Sequence, residues 1–193
     1  MTNFEFKARL EDTRTVQAEM ARRHAEIISI MLHTDTYFHV SKGRLKLREI
    51  AFLPVPNAKS ALPPPHSELI FYLRSDDASV RRSDYLITPV AHADSMRVLL
   101  DSACGTRVAV KKRRVLYLLG YERSPYDPKA PHIRVHLDTV EQLGSFVEVE
   151  AVMGEGITPE LAQREAQSLL HEFGVREQLL NESYVDLLER TRS

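Results

Sequence analysis

The sequence predicts an α+β fold built on an antiparallel sheet, and three observations lead there. Phe4-Glu5-Phe6-Lys7-Ala8-Arg9-Leu10 is apolar at 4, 6, 8 and 10 and charged at 5, 7 and 9, the period of a strand with one wet face. The pattern recurs in Arg44-Leu45-Lys46-Leu47-Arg48, Ile133-Arg134-Val135-His136-Leu137-Asp138 and Phe146-Val147-Glu148-Val149-Glu150. Helical periodicity is confined to inserts, with no strand–helix alternation of the parallel-sheet kind.

In chain order, Glu11-Asp12-Thr13 offers capping oxygens and early negative charge for a helix. Val16, Met20, Ile27, Ile28 and Met31 give that helix an apolar stripe of period 3.6. A short strand is expected at 34–40, with Asp35, Tyr37 and His39 on one face, then a Ser41-Lys42-Gly43 turn and a returning strand at 44–52. Pro54, Pro56 and Pro63-Pro64-Pro65 make 53–67 a loop, because proline cannot donate to a ladder. Strands follow at 69–74 and 84–90, the second led in by Arg81-Arg82-Ser83. Asp94 opens a helix that Gly105 closes. A long strand spans 107–121 with Lys111-Lys112-Arg113-Arg114 at its middle, and Pro125, Pro128 and Pro131 mark a second loose connection. Two further strands, near 132–138 and 145–152, are joined through Leu143-Gly144-Ser145. Thr158-Pro159 and Gly174 bound a helix as N-cap, N1 and C′, and a second short helix covers about 182–190.

The 193 residues, 43% apolar, suit a single domain, 1–193, with its own core. A formal net charge of −1 supplies no global basic field for nucleic acid or a membrane surface, so any binding field is local. Cys104 stands alone, which excludes an intramolecular disulfide and suits a reducing compartment. No apolar run approaches the ~20 residues of a membrane span, and a charged strand occupies the place of a signal peptide. The expectation is a cytoplasmic protein, monomer or homodimer, that binds neither nucleic acid nor membrane.

The charged strand faces carry the functional signal. Cations sort together at Lys7, Arg9, Arg44, Lys46, Arg48, Arg74, Lys112, Arg114 and Arg134; acids sort at Glu5, Asp138, Glu148 and Glu150. One such face is ordinary solvated surface. Several on one sheet gain meaning if the sheet closes, since a barrel turns one face of every strand inward. Gathered cations then call for an anion. Polyphosphate matches guanidinium forks, and the carboxylates suit a hard cation, Mg²⁺ or Mn²⁺. Lys111 and Arg113 have the opposite parity to Lys112 and Arg114 and should face water. None of the eight histidines forms a zinc-type cluster with Cys104.

At these same residues the chain resembles the CYTH domain, or triphosphate tunnel metalloenzyme, superfamily, in its class IV adenylyl cyclase-like branch. Asn3-x-Glu5-x-Lys7 occupies its opening E-x-E-x-K motif, with asparagine at the first glutamate. Asp35-Thr36-Tyr37-Phe38 looks like its D-T-Y-F, and Gly43 to Glu49 like its G-x-x-L-x-x-R region. Val110-x-Lys112-x-Arg114 is similar to its V-x-K-x-R. Arg134–Asp138 and Leu143–Glu150 are similar to its closing strands with E-x-E, and Ser183-Tyr184-Val185-Asp186-Leu187-Leu188 to its cyclase-like tail. The resemblance implies a closed eight-stranded antiparallel barrel with flanking helices, binding a triphosphate through basic residues with Mg²⁺ or Mn²⁺ on glutamates. Substrate-binding residues would then be Lys7, Arg9, Lys46, Arg48, Arg74, Lys112, Arg114 and Arg134, of which Lys7, Arg48, Lys112 and Arg114 act on the reacting phosphates. Metal would fall to Glu5, Asp138, Glu148 and Glu150.

Two functional classes follow. One is an enzyme acting on a nucleoside, thiamine or inorganic triphosphate. Water as nucleophile gives hydrolysis, and the 3′-hydroxyl of ATP gives cyclisation. The other is a module that binds organic phosphate or polyphosphate without turnover, which Asn3 favours because a carboxylate ligand is lost there.

Overall fold

The computed structural model describes residues 3–56, 61–74, 83–123, 126–127 and 129–192, without the side chains of Asn3, Arg74, Arg123, Arg192 and residues 83–85. The alternating segments become strands: β1 (Asn3–Leu10), β2 (Glu26–Phe38), β3 (Arg44–Leu53), β4 (His66–Arg74), β5 (Ser83–Pro89), β6 (Thr106–Gly120), β7 (His132–Val140) and β8 (Gly144–Val152). The inserts become four helices: α1 (Arg14–Arg22), α2 (Ala93–Cys104), α3 (Pro159–Glu172) and α4 (Tyr184–Arg192). The fold is therefore α+β, on an eight-stranded antiparallel sheet. Its order is β1-β8-β7-β6-β2-β3-β4-β5, so β1 and β5 stand at its two ends. Arg81, Arg82, Pro125 and Pro128 lie outside the described residues.

Several local expectations resolve in detail. At α1 the capping oxygen comes from Asp12, whose Oδ1 accepts the Arg14 backbone N–H at 2.9 Å. At α3 the Thr158 hydroxyl accepts from the Leu161 N–H at 3.2 Å, with Pro159 at N1. One expectation fails. The stripe through Ile27, Ile28 and Met31 extends the first helix on paper, but α1 stops at Arg22 and β2 already begins at Glu26. His24 breaks the helix with φ 53°, and Ile27, Ile28 and Ile30 are β-branched, stiff in a helix and suited to a pleated surface. The β2–β3 turn does need its glycine. Gly43 has φ 71°, and a Cβ there would sit 2.8 Å from the Tyr72 carbonyl oxygen.

The chain divides into two compact units. The first holds Met1–Ile30, Arg114–Thr139 and Gly144–Asn181. Its sheet packs Ala8, Ile133, Val135, Val147, Val149 and Ala151 without exposed surface. The helix α3 lies on β1 and β8, burying Ala162, Ala166 and Leu169; each large apolar side chain so covered contributes ~1.5–3 kcal/mol. Arg23 links α1 to α3: Nε donates to Glu19 at 2.7 Å and Nη2 to Glu172 at 2.9 Å.

The second unit holds Met31–Arg113, Val140–Leu143 and Glu182–Ser193. Leu47, Ile70, Val108 and Val110 are buried within it, as are Val185, Leu187 and Leu188 of α4. Its tail helix is fixed by charge. Asp186 accepts two hydrogen bonds from Arg44 Nη2, at 2.7 and 2.9 Å, and Glu189 accepts from Arg107. No helix among the described residues is long and apolar enough to cross a membrane.

Candidate active site

In the second unit the parity of neighbouring strands brings Asp35 of β2 onto Lys46 and Arg48 of β3. Lys46 Nζ donates to Asp35 Oδ2 at 2.7 Å; Arg48 donates through Nε to Oδ1 and through Nη2 to Oδ2, both at 2.7 Å. Such forked, charge-assisted contacts fix a guanidinium in one plane. Burial alone would push the Asp35 carboxyl up, but Lys46 and Arg48, with Lys112 adding to them, hold it well below the usual carboxylate range. Lys46 and Lys112 are 7% and 6% exposed, an uncommon position for lysine. Aromatic rings help to accommodate them. Lys46 Nζ is 5.4 Å from the Tyr37 ring centre, and Lys112 Nζ is 5.2 Å from that of Tyr184 in α4. Burial, then the Asp35 charge, raises the Tyr37 hydroxyl well above its usual range, so it stays protonated. A cleft of about 80 Å³ at the turn end of the β2–β3 hairpin is lined by Tyr37, His39, Arg44 and Arg107, among others, but not by Lys46, Arg48 or Lys112.

In the first unit the carboxylates gather. The β1–β8 register sets Lys7 opposite Glu148 and Glu5 opposite Glu150. Lys7 Nζ is 3.4 Å from Glu148. Arg114 of β6 forks onto Asp138 of β7, Nε to Oδ1 and Nη2 to Oδ2 at 2.7 Å each, and Nη2 also reaches Glu148 Oε2 at 2.7 Å. Asp138 has no exposed surface. Arg134 Nη1 is 3.4 Å from Glu150. Burial would raise the Glu148 carboxyl, yet Lys7 first, with Arg114 adding to it, holds it well below the usual range. Glu5 behaves oppositely. Loss of water around its carboxyl, then the negative charge of Glu148, push it up to about 7, although the residue as a whole is exposed. His136 is driven towards the neutral form by burial and then by Arg114. Its Nδ1 is 3.6 Å from Glu148 Oε2, too long for a hydrogen bond.

The metal expectation can be tested on this donor set. Glu5, Glu148 and Glu150 are hard oxygen donors on two paired strands, and loss of water around the Glu5 carboxyl, with the charge of Glu148 adding to it, pushes Glu5 up to about 7. A divalent cation fits that chemistry by replacing the proton. Among the described residues, no three His, Cys, Asp or Glu side chains form a ready coordination shell.

Of the other expected site residues, Arg9 is exposed and lies over the Phe146 ring at 5.1 Å. The Arg74 side chain lies outside the described residues. On β6 the parity holds, with Lys112 and Arg114 turned inward and Lys111 and Arg113 exposed. The residue missing from the expected set is Asp35. The sequence sets Asp35 on one strand face with Tyr37 and His39, but only the strand register shows that this face meets Lys46 and Arg48. The hold of Ser183 and Asp186 on Arg44 and of Tyr184 on Lys112 was also missed, since it joins segments far apart in sequence.

No family model matches the chain, and no curated protein sequence does. Solved structures match closely in fold. PH1819 of Pyrococcus horikoshii OT3 superposes with a TM-score of 0.72 at 23% identity, covering 98% of this chain and 99% of its own. A candidate adenylate cyclase of Vibrio parahaemolyticus gives 0.65 at 18% identity, covering 98% of each chain. The candidate adenylyl cyclase HpAC1 of Hippeastrum, whose structure is described as revealing a dominant triphosphatase activity, gives 0.62 at 13% identity; 99% of this chain and 96% of that one are covered. Across nearly its whole length, this chain shares the fold of these solved structures.

Proposed function

We propose that the protein is a metal-dependent enzyme acting on a triphosphate compound, with the whole chain serving as one domain and its sheet closed as a tunnel. The observation that carries this reading is the set of the buried Lys46 and Lys112 with the half-buried Arg48, whose three charges all act on the single carboxylate of Asp35. Placing lysines and an arginine on strand faces away from water is unfavourable unless the position serves an anion. Lys46, Arg48 and Lys112 of the second unit, and Lys7, Arg114 and Arg134 of the first, bind and orient phosphate oxygens. Arg9 and Arg74 extend the same set along the strands. Glu5, Glu148 and Glu150 hold Mg²⁺ or Mn²⁺, while Asp138 keeps Arg114 in plane. The metal, when bound, supplies charge neutralisation on the phosphates and polarises the bond to the leaving group. Phosphoryl and nucleotidyl transfer demand positioning and charge stabilisation more than covalent help.

The dominant triphosphatase activity named for the Hippeastrum protein favours water as the nucleophile over the 3′-hydroxyl of ATP. The deciding experiment incubates the protein with ATP, thiamine triphosphate or tripolyphosphate, with Mg²⁺ or Mn²⁺, and resolves products by chromatography. Orthophosphate release marks hydrolysis; cyclic nucleotide with pyrophosphate marks cyclisation. Tight binding of all three without turnover would support a non-catalytic phosphate-binding module, the reading that Asn3 in the first metal position favours.

A further inference from the structure

Resting on that reading, we propose that Asp35 is a resident counter-anion that competes with the substrate phosphates for Lys46 and Arg48, and so sets how tightly the protein holds and releases them. Asp35 is 4% exposed and takes three short contacts at 2.7 Å: Lys46 Nζ, Arg48 Nε and Arg48 Nη2. Those are the donors a phosphate oxygen would use, and the planar Nε–Nη2 fork suits a phosphate as well as a carboxylate. A phosphate entering this face therefore meets a negative charge already seated on its donors. It must share them or displace the carboxylate.

Two consequences follow. With its charge in place, Asp35 keeps both cations charged and the guanidinium in a fixed plane before substrate arrives, which lowers the ordering cost of binding. It also weakens the hold on any anion, substrate or product, because like charges repel strongly where water is scarce. A residue with a merely structural role would do only the first. Its neutralisation would loosen Lys46 and Arg48 and weaken binding. A competitor, once neutralised, leaves the cations with more attraction to offer. The two roles differ in the sign of one measurement.

The test compares wild type with Asp35→Asn, which keeps the shape and one acceptor oxygen but removes the charge. Tripolyphosphate and pyrophosphate binding are measured by titration calorimetry over a range of salt concentrations, and steady-state turnover is measured alongside. The expected result is about tenfold tighter binding of both anions, a steeper salt dependence, and KM and kcat falling together as product leaves more slowly. Weaker or unchanged binding by a folded Asp35→Asn protein overturns the proposal and leaves the triphosphate reading intact. Wild type that neither binds nor turns over any triphosphate overturns both. Should Asp35→Asn fail to fold, the carbon-13 resonance of the Asp35 carboxylate in the wild-type protein decides the matter. It should move as tripolyphosphate is titrated in; an unmoved resonance at saturating ligand overturns the competition.

Discussion

In the second unit one carboxylate, Asp35, stands among Lys46, Arg48 and Lys112; in the first, Glu5, Asp138, Glu148 and Glu150 share Lys7, Arg114 and Arg134. Both clusters sit on strand faces, yet their charge is weighted in opposite senses. The cation-rich cluster holds its acid fully ionised. The acid-rich cluster holds one acid fully ionised, Glu148, and pushes another, Glu5, up to about 7. Loss of water around Glu5, then the charge of Glu148, thus favours the protonated form of the one acid there that stands high. In the cation-rich cluster three cations face the single carboxylate of Asp35, a surplus that a bound anion would offset. A glutamate can take up a proton, and the proton marks where a metal cation would be welcome.

The comparison breaks most visibly at Arg114. Its fork is the charge partner of an Asp138 with no exposed surface. Arg114→Ala should cost ~3–5 kcal/mol of stability, because it strands a buried carboxylate. Arg48→Ala should cost clearly less, since Lys46 remains on Asp35. Chemical denaturation of the two variants reads the difference. Equal losses would mean that the Arg114–Asp138 pair is no more confined than the Arg48–Asp35 pair.

Ligand binding should sharpen the same contrast. Arg48→Ala removes a forked donor and should weaken tripolyphosphate binding by ~1.5–3 kcal/mol. Lys111→Ala, at an exposed position on the opposite face of β6, should change it by less than ~0.5 kcal/mol. Calorimetric titration giving Lys111→Ala the same loss as Arg48→Ala would place the phosphate on the wrong face of the strand.

Much of this was legible in the sequence because strands announce their faces. Alternation located β1, β3, β6, β7 and β8, and its parity separated Lys112 and Arg114 from Lys111 and Arg113. What escaped did so for physical reasons. The Ile27, Ile28 and Met31 positions satisfy a helical period on paper, and only the β-branching of the isoleucines and the left-handed His24 assign the segment to β2. Asp35 was visible as a residue but not as the partner of Lys46 and Arg48, since ion pairing across strands depends on register rather than on local pattern. The tail was legible as a helix, whereas its contacts with Arg44 and Lys112 join positions more than 70 residues apart.

The protonation contrast carries its own pH signature. Glu5 holds its proton up to about 7 against an ordinary 4.5. Because its folded value is raised, its contribution to stability is complete below about 4.5 and is lost as pH rises through about 7. The metal-free protein should therefore melt at lower temperature at pH 8 than at pH 5.5 on this account, and Mg²⁺ or Mn²⁺ should raise the melting temperature more at pH 8. Binding near pH 6.5 should release a proton, seen as a dependence of the calorimetric heat on the ionisation enthalpy of the buffer. Heat independent of the buffer at pH 6.5 would show that the metal does not displace the Glu5 proton.

The smallest expected effect concerns Asn3, which shares the parity of Glu5 and Lys7 on β1 and stands opposite Val152 in the register. Asn3→Glu adds a fourth carboxylate to Glu5, Glu148 and Glu150, at the end of the strand where Glu5 stands opposite Glu150. Hard cations bind more tightly as charged ligands are added, so Mg²⁺ or Mn²⁺ affinity should rise by about tenfold, with turnover rising on at least one triphosphate. In the metal-free state the same substitution adds repulsion to a crowded acidic cluster, so the variant should be less stable until metal is supplied. Melting curves with and without metal, together with turnover against metal concentration, read both halves of the trade. Fast wild-type turnover that Asn3→Glu leaves unchanged would show that Glu5, Glu148 and Glu150 already suffice. Tighter metal binding with no turnover in either protein would move the acid-rich unit from catalysis to ligand retention, the role of a phosphate-binding module.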